Sequence, residues 1–170
     1  VMCLANAGVA VQWVDNNPQM LEQALASVAD TYAHNVRQGR IDQSEADARV
    51  ARVTAADGYV AIRDVDLVIE AVYENLELKQ KIFRELDGLL KPEAILASNT
   101  SALDIDAIAA ATRRPEQVLG LHFFSPAHIM KLLEIVRGAQ TAPTVLKAAL
   151  DLGRRMGKVS VVAGNCHGFI

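Results

Sequence analysis

Short β-branched apolar runs alternate along the chain with stretches whose apolar residues recur every three or four positions. Val1 to Ala7 reads as the end of a helix stopped by Gly8. Val9 to Val14 is an apolar run closing on Asp15, the pattern of a strand. Asn17 and Pro18 then supply an N-cap and a first-turn proline, and Leu21, Leu25, Val28 and Tyr32 follow at helical spacing up to Gly39. Asp42 and Glu45 form a capping-box pattern for a shorter helix ending near Arg52. These two helices predict a helical hairpin inserted into an otherwise plain repeat.

The repeat then resumes. Asp66 to Val72 is a continuous apolar strand broken only by Glu70. Leu78, Ile82, Leu86 and Leu89 mark a helix ended by Lys91-Pro92. Ala94 to Ala97 predicts a strand, and Ile105 to Ala111 a helix. Val118 to Phe124 and Leu132 to Val136 predict two more strands. Leu146, Ala149, Leu150 and Gly153 trace a helix opening near Pro143, and Val159 to Val162 is the last strand. The alternation predicts an α/β domain over residues 1–170, with a mostly parallel sheet and helices on both faces.

Composition narrows the partners. At 170 residues, 51% hydrophobic and 22% charged, the chain has enough apolar material for a packed core and is not a disordered one. No apolar run approaches the ~18 residues that a membrane-spanning helix needs, and no charged-then-apolar leader opens the sequence. A net charge of −3 without a basic stripe argues against nucleic acid. Cys3 and Cys166 are too far apart in sequence for a metal knuckle and make no disulfide framework. The four histidines lack the spacing of a metal-ligand set. A reducing setting fits, and a cytoplasmic location is the expectation.

In an open α/β sheet, ligands collect outside the carboxyl ends of the strands. The polar residues there are Asp15, then Glu74, then Asn99 and Ser101, with His122 in the final residues of a later strand. An acid in the place of Asp15 accepts hydrogen bonds from an adenosine ribose and repels a 2′-phosphate. Asn16, Asn17 and Pro18 add no cation, so NAD is expected over NADP. Asp15 is equally suited to a simple loop or cap. A glycine-rich phosphate loop should start ~20 residues before such an acid. That count runs off the front of the chain, so the loop is expected to lie outside residues 1–170.

His122 sits in Leu119-Gly120-Leu121-His122-Phe123-Phe124-Ser125-Pro126, and Glu134 in Leu132-Leu133-Glu134-Ile135-Val136. A carboxylate inside an apolar strand is costly unless paired. His122, a short turn away, is the expected partner, and the pair would orient an imidazole as a general base. A structural His–carboxylate bond in the core is the alternative on these residues. Ser101 is placed to donate to a substrate oxygen, or to cap the helix before Ile105.

Four segments, taken together, resemble the nucleotide domain of the 3-hydroxyacyl-CoA dehydrogenases. They are Asp66 to Leu76, Ala97 to Ser101, Gly120 to Pro126, and Met130 to Glu134, in the family's order and spacing. The resemblance implies a Rossmann-like domain and reversible oxidation of an L-3-hydroxyacyl-CoA thioester to the 3-ketoacyl-CoA, with hydride passing to NAD. By position, His122 resembles the general base, Glu134 its electrostatic partner, and Ser101 the hydroxyl that meets substrate and nicotinamide. Asp15 resembles the ribose acid. Ala71, Glu74, Lys79 and Asn99 match positions that line the cofactor. The family continues into a helical domain that forms a homodimer, and its active site includes an asparagine after the Gly168-Phe169-Ile170 motif. Residues 1–170 alone are therefore expected to be inactive. Ser125 stands where many relatives carry asparagine, and His34, His128 and His167 receive no role. Two other functions stay open: a nucleotide-binding or structural relative without turnover, and a dehydrogenase of a free hydroxy acid.

Overall fold

Polar caps set the helix starts. Asn17 Oδ1 accepts the N–H groups of Gln19 and Met20 at the head of α2 (Pro18–Arg37), and Asp42 accepts from Glu45 at the head of α3 (Gln43–Ala51). The computed structural model describes residues 1–169, so Ile170 of the Gly168-Phe169-Ile170 motif lies outside the described residues. The chain divides into two compact units, residues 1–62 and the chain from Arg63 onward.

The first unit holds α1 (Met2–Asn6), β1 (Val11–Trp13), the α2–α3 hairpin and β2 (Val53–Ala55). Val28 and Tyr32 of α2 pack against Ala46 of α3, with Val36, Ile41 and Val50 around them. Tyr32 Oη donates to Asn6 Oδ1 at 2.8 Å, which ties α2 to α1. Arg49 adds a second bond to the same oxygen at 3.0 Å, its guanidinium 5.9 Å from the Tyr32 ring. The strand β2, which the sequence pattern does not predict, pairs parallel with β1 from Val11↔Val53 to Trp13↔Ala55.

The second unit is a five-stranded sheet in the order β3-β4-β5-β6-β7. Its strands are β3 (Leu67–Glu70), β4 (Ile95–Ser98), β5 (Val118–Phe123), β6 (Leu132–Arg137) and β7 (Val159–Gly164). Its helices are α4 (Leu76–Leu89), α5 (Ile105–Ala109) and α6 (Pro143–Arg155). Strands β3, β4 and β5 run parallel, β6 reverses against β5, and β7 runs parallel to β6.

Helices cover both faces of this sheet. Leu119, Leu121, Leu133 and Ile135 share one face and pack against Val145 and Ala149 of α6. Each of these four is at most 1% exposed, and burial of such a side chain contributes about 1.5–3 kcal/mol. The alternate residues face the other way. There Gly120 lies opposite Val136, and the side chain of Ile105 from α5 comes down on it. The architecture is α/β and Rossmann-type, with the hairpin in the first unit.

Candidate active site

The site begins at the antiparallel joint of the sheet. His122 and Glu134 are register partners on β5 and β6, so their side chains leave the sheet on the same face. His122 Nδ1 lies 2.6 Å from Glu134 Oε2. Glu134 is 2% exposed and His122 16%, so the carboxylate is the buried member and the imidazole reaches toward solvent. Phe124 tilts against the ring at 4.5 Å between centroids, and Phe169 meets it edge-on at 5.9 Å. With Nδ1 engaged by Glu134, Nε2 is the nitrogen left for a substrate.

A second constellation forms where β3 and β4 end. The Glu70 carboxylate takes Lys79 Nζ at 2.8 and 3.0 Å, the Ser98 hydroxyl at 2.7 Å and the Val72 N–H at 2.6 Å. Lys79 is fully buried, and its ammonium also lies 3.6 Å from Glu74 Oε2. Glu74 Oε1 in turn accepts the Thr100 hydroxyl, the Ser101 N–H at 2.8 Å and the Ala102 N–H at 3.2 Å. Partial burial pushes the Glu74 carboxyl up. The Thr100 hydroxyl, the Ser101 N–H, the Lys79 charge and the Ala102 N–H outweigh that and hold it below the ordinary carboxylate range.

The expected site residues thus fall into three places. Glu74, Lys79 and Ser101 belong to one hydrogen-bonded network, in which Lys79 faces inward and meets Glu70, Glu74 and the Val72 carbonyl. Ala71 is exposed just past β3. Asn99 follows β4, and its Oδ1 accepts the N–H of Phe123, the neighbour of His122, at 2.9 Å. Asp15 stands past β1 in the first unit, exposed, with Oδ1 accepting the Asn17 N–H at 2.8 Å. Ser98 and Thr100 carry no signal in the sequence, and Glu70 is marked there only as the break in an apolar strand. The lone carboxylate within the apolar run of β3 was the available signal.

In the second unit, the end of β4 offers groups that a dinucleotide can use. The Ser101 hydroxyl makes no hydrogen bond among the described residues, and the Asn99 amide keeps its two protons while its oxygen is used. Asp15 keeps a second carboxylate oxygen, and residues 16–20 carry no cation for a 2′-phosphate. The sequence pattern of the 3-hydroxyacyl-CoA dehydrogenase NAD-binding domain matches residues 1–166. The chain belongs to this family. NAD is the cofactor that membership assigns.

The chain is similar to the peroxisomal bifunctional enzyme of Danio rerio, 44% identical over 177 residues, and to that of Cavia porcellus, 43% identical over 169. These alignments cover 100% and 98% of the chain but 23% of each relative, so the chain spans under a quarter of their length. Among solved structures, a 3-hydroxybutyryl-CoA dehydrogenase from Escherichia coli superposes with a TM-score of 0.97 at 34% identity, over 99% of this chain and 36% of that one. The family assignment agrees with the resemblance carried by the four sequence segments. It also brings a correction: the cytoplasmic expectation is overturned by the curated relatives, which are named peroxisomal. The physical reason is that two cysteines which form no disulfide are compatible with a reducing environment, and that does not distinguish one reducing compartment from another.

Proposed function

We propose that the whole protein oxidises L-3-hydroxyacyl-CoA thioesters to 3-ketoacyl-CoA in fatty-acid β-oxidation. The 2.6 Å contact between His122 Nδ1 and Glu134 Oε2 carries the reading. A carboxylate only accepts, so Nδ1 carries the proton of that bond, and in the neutral imidazole Nε2 presents a lone pair. His122 Nε2 then takes the hydroxyl proton as the C3–H bond breaks, and the buried charge of Glu134 stabilises the imidazolium that results. Bound NAD supplies the hydride acceptor. The free Ser101 hydroxyl donates to the substrate oxygen and holds C3 in place, while Asn99, Ala71 and Glu74 shape the cofactor edge and Asp15 takes the ribose. Lys79 acts on that edge from beneath, through Glu74. A homodimer built by the family's helical domain belongs to the same proposal.

The named relatives and the intact Ser101, His122 and Glu134 favour turnover over a purely structural role. The experiment that separates a thioester from a free acid compares 3-hydroxybutyryl-CoA with 3-hydroxybutyrate in the full-length protein. NADH formation should be strongly faster with the thioester. Equal rates would discard the CoA assignment.

A further inference from the structure

We infer that Lys158 is a positioning residue for the proposed reaction, holding the connection between the base and its carboxylate partner in one conformation. This rests on the reading of His122 and Glu134 above. The two side chains lie on β5 and β6, and the chain between those strands runs from Phe124 to Lys131 at the end of the sheet beside His122. Lys158 immediately precedes β7. Its Nζ donates to the carbonyls of Ala127 and Met130, the latter at 2.6 Å, and stands 5.9 Å from the Phe123 ring.

Lys158 forms no ion pair among the described residues. Its charge is spent on two backbone carbonyls of one turn, and charge-assisted bonds of this kind are the stronger class. Ile129 and Met130 donate to the Pro126 carbonyl at 2.9 and 3.0 Å, and the Val159 N–H reaches the Lys131 carbonyl at 2.8 Å. Ile129 is 65% exposed and Met130 41%, so apolar packing does not fix them.

What the clamp fixes is the wall around the imidazole. Phe124, the first residue of the connection, is the ring packed 4.5 Å from His122. Asn99 holds the N–H of Phe123, and Lys158 faces the ring of the same residue. A released turn would let Phe124 leave the imidazole and Nε2 lose its orientation. The cost would fall on the chemical step rather than on cofactor affinity, because misplacement of a reacting group by about 1 Å can lower a rate about 10²-fold.

The test uses full-length protein with Lys158→Met, Lys158→Gln and Lys158→Arg, and with Lys147→Met as a charge-loss control on the exposed side of α6. The expected result is a kcat about tenfold or more lower in the Met variant, with KM for NAD within about twofold and partial recovery in the Arg variant. Amide hydrogen exchange, which needs no turnover, should speed up across residues 125–131 while β6 and β7 stay protected. Wild-type exchange and kcat in the Met and Gln variants would overturn the clamp. So would loss of protection spread equally over the whole second unit. If the wild type turns over no 3-hydroxyacyl-CoA, the functional reading fails, and the exchange data still decide the clamp.

Discussion

His122 and Glu134 are cross-strand partners whose side chains meet at 2.6 Å, at the one place in the five-stranded sheet where neighbouring strands run antiparallel. In an antiparallel pair, opposed side chains point to the same face and stand close together. A 2% exposed carboxylate thereby gains a partner, and the imidazole gains a fixed ring orientation. His122→Gln should lower kcat about 10²–10⁴-fold with the NAD dissociation constant little changed. Glu134→Gln should lower kcat by a comparable factor, because a neutral amide can turn its NH₂ toward Nδ1 and favour the wrong tautomer. Steady-state NADH formation and NAD titration of the full-length variants check both. Undiminished turnover in the His122 variant would remove it from the mechanism.

Glu70 and Lys79 predict a non-additive response to mutation. Both are buried, at 2% and 0% side-chain exposure, and they exchange two contacts at 2.8 and 3.0 Å. Removing one charge leaves the other stranded, at a typical cost of about 3–5 kcal/mol. Lys79→Met and Glu70→Gln should each destabilise the protein strongly, and the double variant should lose clearly less than the sum. Denaturant unfolding of the four proteins measures the coupling. Additive losses would mean that the pair does not act as a unit.

How much of this was legible in the sequence depends on the range of each interaction. His122 and Glu134 stood out because each interrupts an apolar strand, and such an interruption demands a partner. The reversal between their strands is not part of the sequence reading, although the eight residues from Phe124 to Lys131 are too few for a parallel crossover. Glu70 also interrupts an apolar strand, but its partner lies on α4 among Ile82, Phe83 and Leu86, on a face whose pattern is apolar, and the sequence reading assigns it none. The grip of Glu74 on Thr100, Ser101 and Ala102 spans 26 to 28 positions and leaves no local mark. β2 was missed because its three residues follow α3 directly and gain their strand character from pairing with β1.

Glu74 predicts an acid-sensitive turn. Its folded pKa lies below the ordinary value of 4.5, so the stability it contributes is fully present above that value and is lost as pH falls through the folded pKa. Glu74→Gln removes the ionisation while keeping an oxygen for Ser101 and Ala102. The difference in unfolding midpoint between wild type and this variant should be steady near neutral pH and shrink below 4.5. Because the side chain is 41% exposed, solvent screens it and the effect should be modest. A constant difference across the acid range would show that the carboxyl titrates alike folded and unfolded.

Gly120 predicts how tightly the His122–Glu134 pair is seated from behind. It lies on β5 two residues before His122, and a Cβ added there would sit 2.8 Å from Val136 Cβ and 3.0 Å from Ile105 Cδ1. The first contact is rigid, since Val136 is its register partner on β6 and cannot retreat without moving that strand. Gly120→Ala should therefore destabilise by about 1–3 kcal/mol, the usual range for overpacking a filled core. Relief by separation of β5 from β6 would also lengthen the His122–Glu134 contact, which occupies the next register pair on the same face. The variant should then lose kcat as well as stability. Trimming the obstacle with Val136→Ala in the same chain should restore both in part. Unfolding curves and kcat for the two proteins decide it, and a Gly120→Ala variant as stable and active as the wild type would rule out close packing at this point.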